Sequence, residues 1–166
     1  MGRLLLMRHA KSSWSDPLMS DHDRPLNGRG KRDGPRMGQW LVERSLRPDL
    51  ILSSTAERAR STAELVAANW DPAPDIQLCK CLYHSTPDTM LETIATECRD
   101  QECIMLVAHN PGIEDFLQET TAQVESCPTA VIAVIDFDRS WTDLLVERRG
   151  SLAALWRPKE LPDQDS

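Results

Sequence analysis

Two arginines and two histidines, Arg8-His9, Arg58 and His109, have the side-chain types needed to hold and attack a dianionic phosphoryl group. Arginine presents a rigid, permanently charged fork of donors that matches tetrahedral oxyanions. A histidine that attacks phosphorus must offer a neutral ring nitrogen. Neighbouring guanidinium groups oppose a second positive charge on the ring, so the groups that would bind the anion also favour the reactive imidazole. The nucleophile's other nitrogen needs a fixed acceptor, usually a backbone carbonyl, and the second imidazole can donate to a phosphoryl oxygen as charge develops.

These residues lie far apart in the chain, so strand ends must bring them together. The apolar run Leu4 to Met7 is too short for a helix and reads as a buried strand, Arg3 to Arg8, ending at His9. Ser12 to Pro25 is polar, without periodicity, and forms a long loop of the kind that carries function. Met37, Trp40 and Leu41 mark a helix from Asn27, a plausible N-cap, to Arg44, with a kink or restart expected at Gly34-Pro35. Leu50 to Ser53 reads as a second buried strand. Ser54-Thr55-Ala56-Glu57 has capping-box spacing and predicts a helix from Ser54 to about Ala68, with Arg58 in its first turn.

Ile76 to Leu82 is the next expected strand, followed by a helix capped at Thr86-Pro87. Cys103 to Ala108 is the clearest buried strand and ends at His109; a short helix with Ile113, Phe116 and Leu117 comes next. Ala130 to Phe137 and Ser151 to Trp156 are the last strands. The alternation predicts an α/β fold: a three-layer α/β/α sandwich with a mainly parallel central sheet. The chain divides into a single domain, 1–157, and a flexible C-terminal tail, 158–166. In open α/β sheets ligands bind beyond the carboxyl ends of the strands, so parallel strands would place Arg8, His9, Arg58 and His109 around one crevice.

Composition narrows the partners. A length of 166 residues suits one core, and 40% apolar with 27% charged residues fits a globular chain. The net charge of -7 opposes binding to nucleic acid or acidic membranes as a main role. The N-terminal apolar run is too short for a signal peptide or span, and the residues after Gly2 lack the myristoylation pattern. Five cysteines, odd in number and without C-x-x-C spacing, suit a reduced cytoplasmic setting, and a monomer is expected. Gly28-x-Gly30 does not continue as a dinucleotide fingerprint, and there is no Walker A. Cys79 and Cys81 are expected on one buried strand face, Trp40 and Trp156 in the core, Trp14 at the pocket wall, His22 and His84 near its mouth, and Arg60 in solvent.

Leu-Leu-Met-Arg8-His9-Ala10, Ser53-Ser54-x-Ala56-x-Arg58-Ala59-x-x-Thr62-Ala63 and Val107-Ala108-His109-Asn110 resemble the histidine phosphatase superfamily, which includes the phosphoglycerate mutases. The Arg-His-Ala-Lys start and Asp23-Arg24-Pro25-Leu26-Asn27-x-x-Gly30 look most like its small SixA-type phosphohistidine phosphatase branch. The resemblance spans roughly residues 3 to 156 and implies a phosphoglycerate mutase-like fold. It implies that His9 becomes transiently phosphorylated, that Arg8 and Arg58 clamp the phosphoryl oxygens, and that His109 completes the catalytic group. Arg24, Asn27 and Asn110 follow as secondary candidates for substrate contacts or loop support. No metal or organic cofactor is implied.

Lys11 stands where mutase-like relatives commonly carry an acidic or amide residue, which argues against a mutase. Relatives acting on alkyl phosphates use a carboxylic acid to protonate the leaving oxygen. Leu82 to Asp88 offers no carboxylate clearly in place, since Asp88 is expected to start its helix. A phosphohistidine substrate in a protein needs least help, because imidazole titrates near neutrality. The alternatives are a small phosphorylated metabolite as substrate, or a phosphate-binding module without turnover.

Overall fold

The computed structural model describes residues 1–163. Its strands are β1 (Gly2–Arg8), β2 (Leu50–Ser54), β3 (Asp75–Cys79), β4 (Cys103–Ala108), β5 (Ile132–Phe137) and β6 (Ser151–Trp156). Its helices are α1 (Gly28–Glu43), α2 (Glu57–Ala67), α3 (Pro87–Glu97) and α4 (Gly112–Thr121). The strands form one sheet in the order β3-β2-β4-β1-β5-β6. β3, β2, β4 and β1 run parallel, while β5 is antiparallel to both β1 and β6. The expected mainly parallel α/β sandwich is the observed architecture.

Alternation along the central strands builds the layers. Leu4, Leu6, Leu52, Ile104 and Leu106 face one way and pack with Met90, Leu91 and Ile94 of α3 and Ile113, Phe116 and Leu117 of α4. Leu5, Met7, Ile51, Met105 and Val107 face the other way, against Met37 and Leu41 of α1 and Ala59, Ala63 and Val66 of α2. Central strands buried on both faces carry continuous apolar runs, which is why β1 and β4 were so legible.

Register then fixes the edge that matters. Arg8 pairs with Ala108, and Ser53 with Val107, so the residues just beyond these pairs, His9, His109 and Ser54, emerge side by side. The His9 N–H continues the ladder, donating to the Ala108 carbonyl at 3.1 Å. Ala130, from the turn before β5, donates to the carbonyls of Arg8 (3.1 Å) and His9 (3.0 Å), holding the end of β1 from its other flank.

Several local expectations are corrected. Ser54 does not open a helix: it ends β2, α2 begins at Glu57 with Ala56 as N-cap, and no side chain caps it. Burial of both seryl residues at the centre of the sheet outweighs the local capping pattern. β3 stops at Cys79 and the chain turns through a short 3₁₀ segment, Lys80–Leu82. Cys79 is therefore buried and Cys81 exposed, rather than both lining one face. α1 passes Gly34-Pro35 as one helix without a restart. Trp40 and Trp156 are half-buried, packed edge to face at 6.0 Å, with the Arg44 guanidinium over Trp40 at 3.1 Å.

Of the expected tail 158–166, Pro158–Glu160 form a 3₁₀ turn, and Arg36 donates to the carbonyls of Pro158 and Leu161, both at 3.0 Å. Residues 164–166 lie outside the described residues.

The start of α1 packs closely against the segment after His9. Asn27 caps the helix by accepting from the Gly30 N–H at 2.9 Å, and its own N–H donates to the Lys11 carbonyl at 2.9 Å. A Cβ on Gly30 would overlap the Lys11 backbone, including its carbonyl oxygen. Backbone cannot swing aside as a side chain can. Gly30→Ala is therefore expected to lower stability by ~1–3 kcal/mol in urea unfolding, despite the higher helix propensity of alanine, and to reduce turnover because Lys11 is two residues from His9.

Candidate active site

Four side chains from three strand ends converge. His9 follows β1, His109 follows β4, and both are almost buried, 6% and 5% exposed. Their ring centroids are 5.0 Å apart and their planes are inclined by 51°. Arg8, the last residue of β1, and Arg58, in the first turn of α2, supply the guanidinium groups. Thr62 joins the elements: its hydroxyl donates to the Arg58 carbonyl at 2.6 Å and accepts from the Ala10 N–H at 2.9 Å. The end of β1 is thereby tied to the helix that presents Arg58.

His9 Nδ1 lies 2.8 Å from the Ala10 carbonyl oxygen. A carbonyl only accepts, so Nδ1 carries the proton and Nε2 is left with its lone pair. Burial pushes the His9 pKa down to about 3, assisted by Arg58, Arg8 and Arg24, while the Ala10 hydrogen bond opposes the change. His109 is also pushed down to about 3, first by burial and then by His9, Arg58 and His84, against the pull of Asp21. Both rings are neutral at neutral pH.

Ordinary histidine titrates at 6.5, whereas these rings resist protonation until about pH 3 in the folded chain. The unfolded chain therefore holds more protons across that interval, and stability falls as pH drops from 6.5 toward 3, by up to ~1.4 kcal/mol per pH unit for each ring. Urea midpoints measured at pH 7 and pH 5 should show this loss, and the loss should shrink when either ring is replaced by glutamine.

Each arginine is held by its terminal nitrogens. Arg8 Nη1 donates to the Cys127 carbonyl at 3.1 Å. Arg58 Nη1 donates to the Asp21 carbonyl at 2.6 Å, and Nη2 to the Asp21 carboxylate at 3.0 Å. The Nε atoms of both arginines, together with His109 Nδ1 and Asn110 Oδ1, are buried without a partner. Buried polar atoms are usually paired, so four such atoms around one crevice mark where a ligand or ordered water can complete the bonding. Burial lowers the Arg8 pKa, although Glu114 and Cys127 oppose it.

The surrounding loops sort the secondary candidates. Arg24 is buried; it reaches Ser12 Oγ at 2.7 Å and Asp21 at 3.0 Å, with its guanidinium over the exposed Trp14 ring at 3.5 Å. Asn110 donates to Glu114 (3.1 Å) and the Cys127 carbonyl (2.9 Å), fixing the loop that holds Arg8. Asn27 spends its amide oxygen on the α1 cap, away from the two rings' hydrogen bonds. His22 contacts Thr55 Oγ1 at 2.9 Å and meets Tyr83 edge to face. His84 packs against Tyr83 with the ring planes tilted by 41° and, with Asp115 and Asn110, lines a cavity of about 180 Å³ that opens beside His109. Arg60 pairs with Glu57 and Glu64 on the outer side of α2.

Sequence reasoning missed Asp21 and Tyr83. The Tyr83 hydroxyl donates to the Asp21 carboxylate at 2.5 Å, and this bond, with those from Arg58 and Arg24, holds the Asp21 carboxyl well below the usual carboxylate range. The only trace was an aspartate three residues before Arg24 in a long loop. Among the described residues no cluster of three or more His, Cys, Asp or Glu side chains could hold a metal ion, and no helix is long and apolar enough to cross a membrane.

A model of the histidine phosphatase superfamily, branch 1, matches residues 4–82. The crystal structure assigned as the phosphohistidine phosphatase SixA of Agrobacterium tumefaciens is 32% identical, with a TM-score of 0.80 over 95% of this chain and 99% of its own. The chain belongs to the histidine phosphatase superfamily, in its SixA-type branch. A second structure assigned as SixA, from Nakamurella multipartitia, superposes with a TM-score of 0.82 at 25% identity, over 95% of this chain and 96% of its own. An uncharacterized Mycobacterium tuberculosis protein is 34% identical over 149 residues, 83% of this chain and 91% of that relative. This histidine phosphatase thus matches its relatives over the whole sheet, beyond the Arg-His motif.

Proposed function

We propose that this histidine phosphatase transfers a phosphoryl group from phosphohistidine in a protein to Nε2 of His9 and then hydrolyses the phosphoenzyme, as a monomer in the cytoplasm without metal or organic cofactor. The observation that carries this reading is the 2.8 Å contact from His9 Nδ1 to the Ala10 carbonyl, which leaves the Nε2 lone pair free on a neutral ring. In the first step the His9 Nε2–P bond forms as the bond from phosphorus to the departing imidazole nitrogen breaks, and that nitrogen takes a proton from solvent. In the second, water oxygen bonds to phosphorus, the His9 N–P bond breaks, and the water proton leaves with solvent. Arg8 and Arg58 hold the equatorial oxygens, and His109 donates to one of them. Arg24, Asn27 and Asn110 support the loops that carry these groups.

The carboxylates near the site bear on the leaving group. Asp88 pairs with Arg148 at 2.8 Å and is mostly exposed, so it is committed elsewhere. Asp21 stays ionised under three donors and has no proton to give. With neither of these two carboxylates free to protonate it, an alkoxide leaves poorly, whereas imidazole accepts a proton near neutrality. We expect kcat/KM on a phosphohistidine-bearing protein to exceed that on alkyl phosphates by about 100-fold or more, the ordinary contribution of a general acid. A panel of both substrate classes, assayed with chelator present, checks this. Faster turnover of sugar or acyl phosphates would overturn the substrate and favour a small phosphorylated metabolite.

A further inference from the structure

We propose that Ser54 is a positioning residue that sets the tautomer of His109: its hydroxyl donates to Nε2, so the ring carries its proton on Nδ1 and keeps an N–H in reserve for a phosphoryl oxygen. The role of that N–H rests on the phosphatase reading above; the tautomer itself does not.

Ser54 is fully buried at the end of β2, and its Oγ lies 2.8 Å from His109 Nε2. The same oxygen accepts from the Ala56 N–H at 3.2 Å. A hydroxyl has one proton and two lone pairs. With Ala56 already donating to it, a protonated Nε2 would be a second donor, and the hydroxyl proton would point at nothing in a buried site. His109 Nδ1, which is also buried and without a partner, would then be an unpaired acceptor. The opposite arrangement satisfies Ser54 and Nε2 together and leaves only Nδ1–H unpaired. Leaving fewer buried polar groups unsatisfied is the more stable choice.

The His109 ring is uncharged. With its pKa pushed down to about 3, the ring has a single N–H at neutral pH, so its location decides whether the ring can donate at all. A lone pair on Nδ1 would repel a phosphoryl oxygen. The two imidazoles are thus set oppositely by simple acceptor and donor groups: the Ala10 carbonyl holds His9 with its lone pair on Nε2, and the Ser54 hydroxyl holds His109 with its proton on Nδ1. The serine that local spacing marks as a helix cap accepts one backbone N–H, as a cap would, and spends its own proton on the histidine.

The test is direct on the unaltered protein. Ring-15N-labelled histidine, read by long-range 1H–15N correlation at pH 7 and assigned with a His109→Gln variant, should give His109 a protonated Nδ1 and an unprotonated, hydrogen-bonded Nε2. A protonated Nε2 would overturn the proposal. In Ser54→Ala the His109 signals should move toward a mixture of tautomers, with kcat falling about tenfold and KM changing less than about threefold. Ser54→Thr, which keeps the hydroxyl, should restore the wild-type signals and most of kcat. If neither variant folds, the wild-type spectrum still decides. An active phosphatase with protonated Nε2 would sink the role of Ser54 alone, whereas the expected tautomer in an inactive protein would sink the phosphatase reading alone.

Discussion

His9→Ala is expected to lower kcat by at least ~10⁴-fold, since removing the nucleophile from a two-step mechanism leaves only binding and electrostatic assistance. The same variant should take up no acid-labile phosphate when mixed with labelled substrate and quenched in alkali, whereas the wild-type chain should be labelled at His9. The fold should survive, because the lost interactions are one hydrogen bond to Ala10 and the packing of a ring at the sheet edge. Below pH 6.5 the variant should even lose less stability than wild type, since a buried ring that resists protonation has been removed. Retention of more than about a tenth of the activity would end the nucleophile assignment. Tight phosphate binding by wild type, with neither label nor turnover, would instead make the chain a binding module.

Arg58→Ala should reduce kcat/KM by ~10²–10³-fold and weaken inhibition by vanadate or tungstate to a similar extent, because a charge-assisted donor is lost in a water-poor site. Arg58→Lys should rescue little. Asp21 engages both terminal nitrogens of Arg58 through its carbonyl and its carboxylate, and a lysine ammonium cannot hold that pair while offering a further donor in the Nε position. Activity within about threefold of wild type in both variants would remove Arg58 from the site.

Much of the site was legible because it sits where short-range signals are strongest. β1 and β4 are continuous apolar runs ended by Arg-His and His-Asn, so strand ends and candidate side chains were read together. The parallel arrangement followed from alternation of strands and helices, and it implies a shared crevice. Ser54 was harder. Ser-x-x-Glu spacing is a sound helix-start signal for an isolated segment, but β2 lies between β3 and β4, and extending its ladder to Ser54 satisfies more backbone than an earlier helix start would. Cys81 was misplaced for a related reason: periodicity cannot say where a strand stops, and the turn at Lys80 reverses the face.

Asp21 and Tyr83 left no usable trace. They are 62 residues apart, Asp21 opening a short 3₁₀ turn and Tyr83 just following another, and their meeting with Arg58 depends on how the loop after His9 folds back over α2. Local patterning of apolar and charged residues thus determined the layers of this protein, the strands that end in chemistry, and the types of side chain available there. The tertiary structure decided which nitrogen of each histidine carries a proton, which atoms of each arginine remain unpaired, and that Asp21 holds Arg58. These are outcomes of register and of three-dimensional hydrogen bonding at a buried edge, where partners are set by distance in space and a single polypeptide order admits many alternatives.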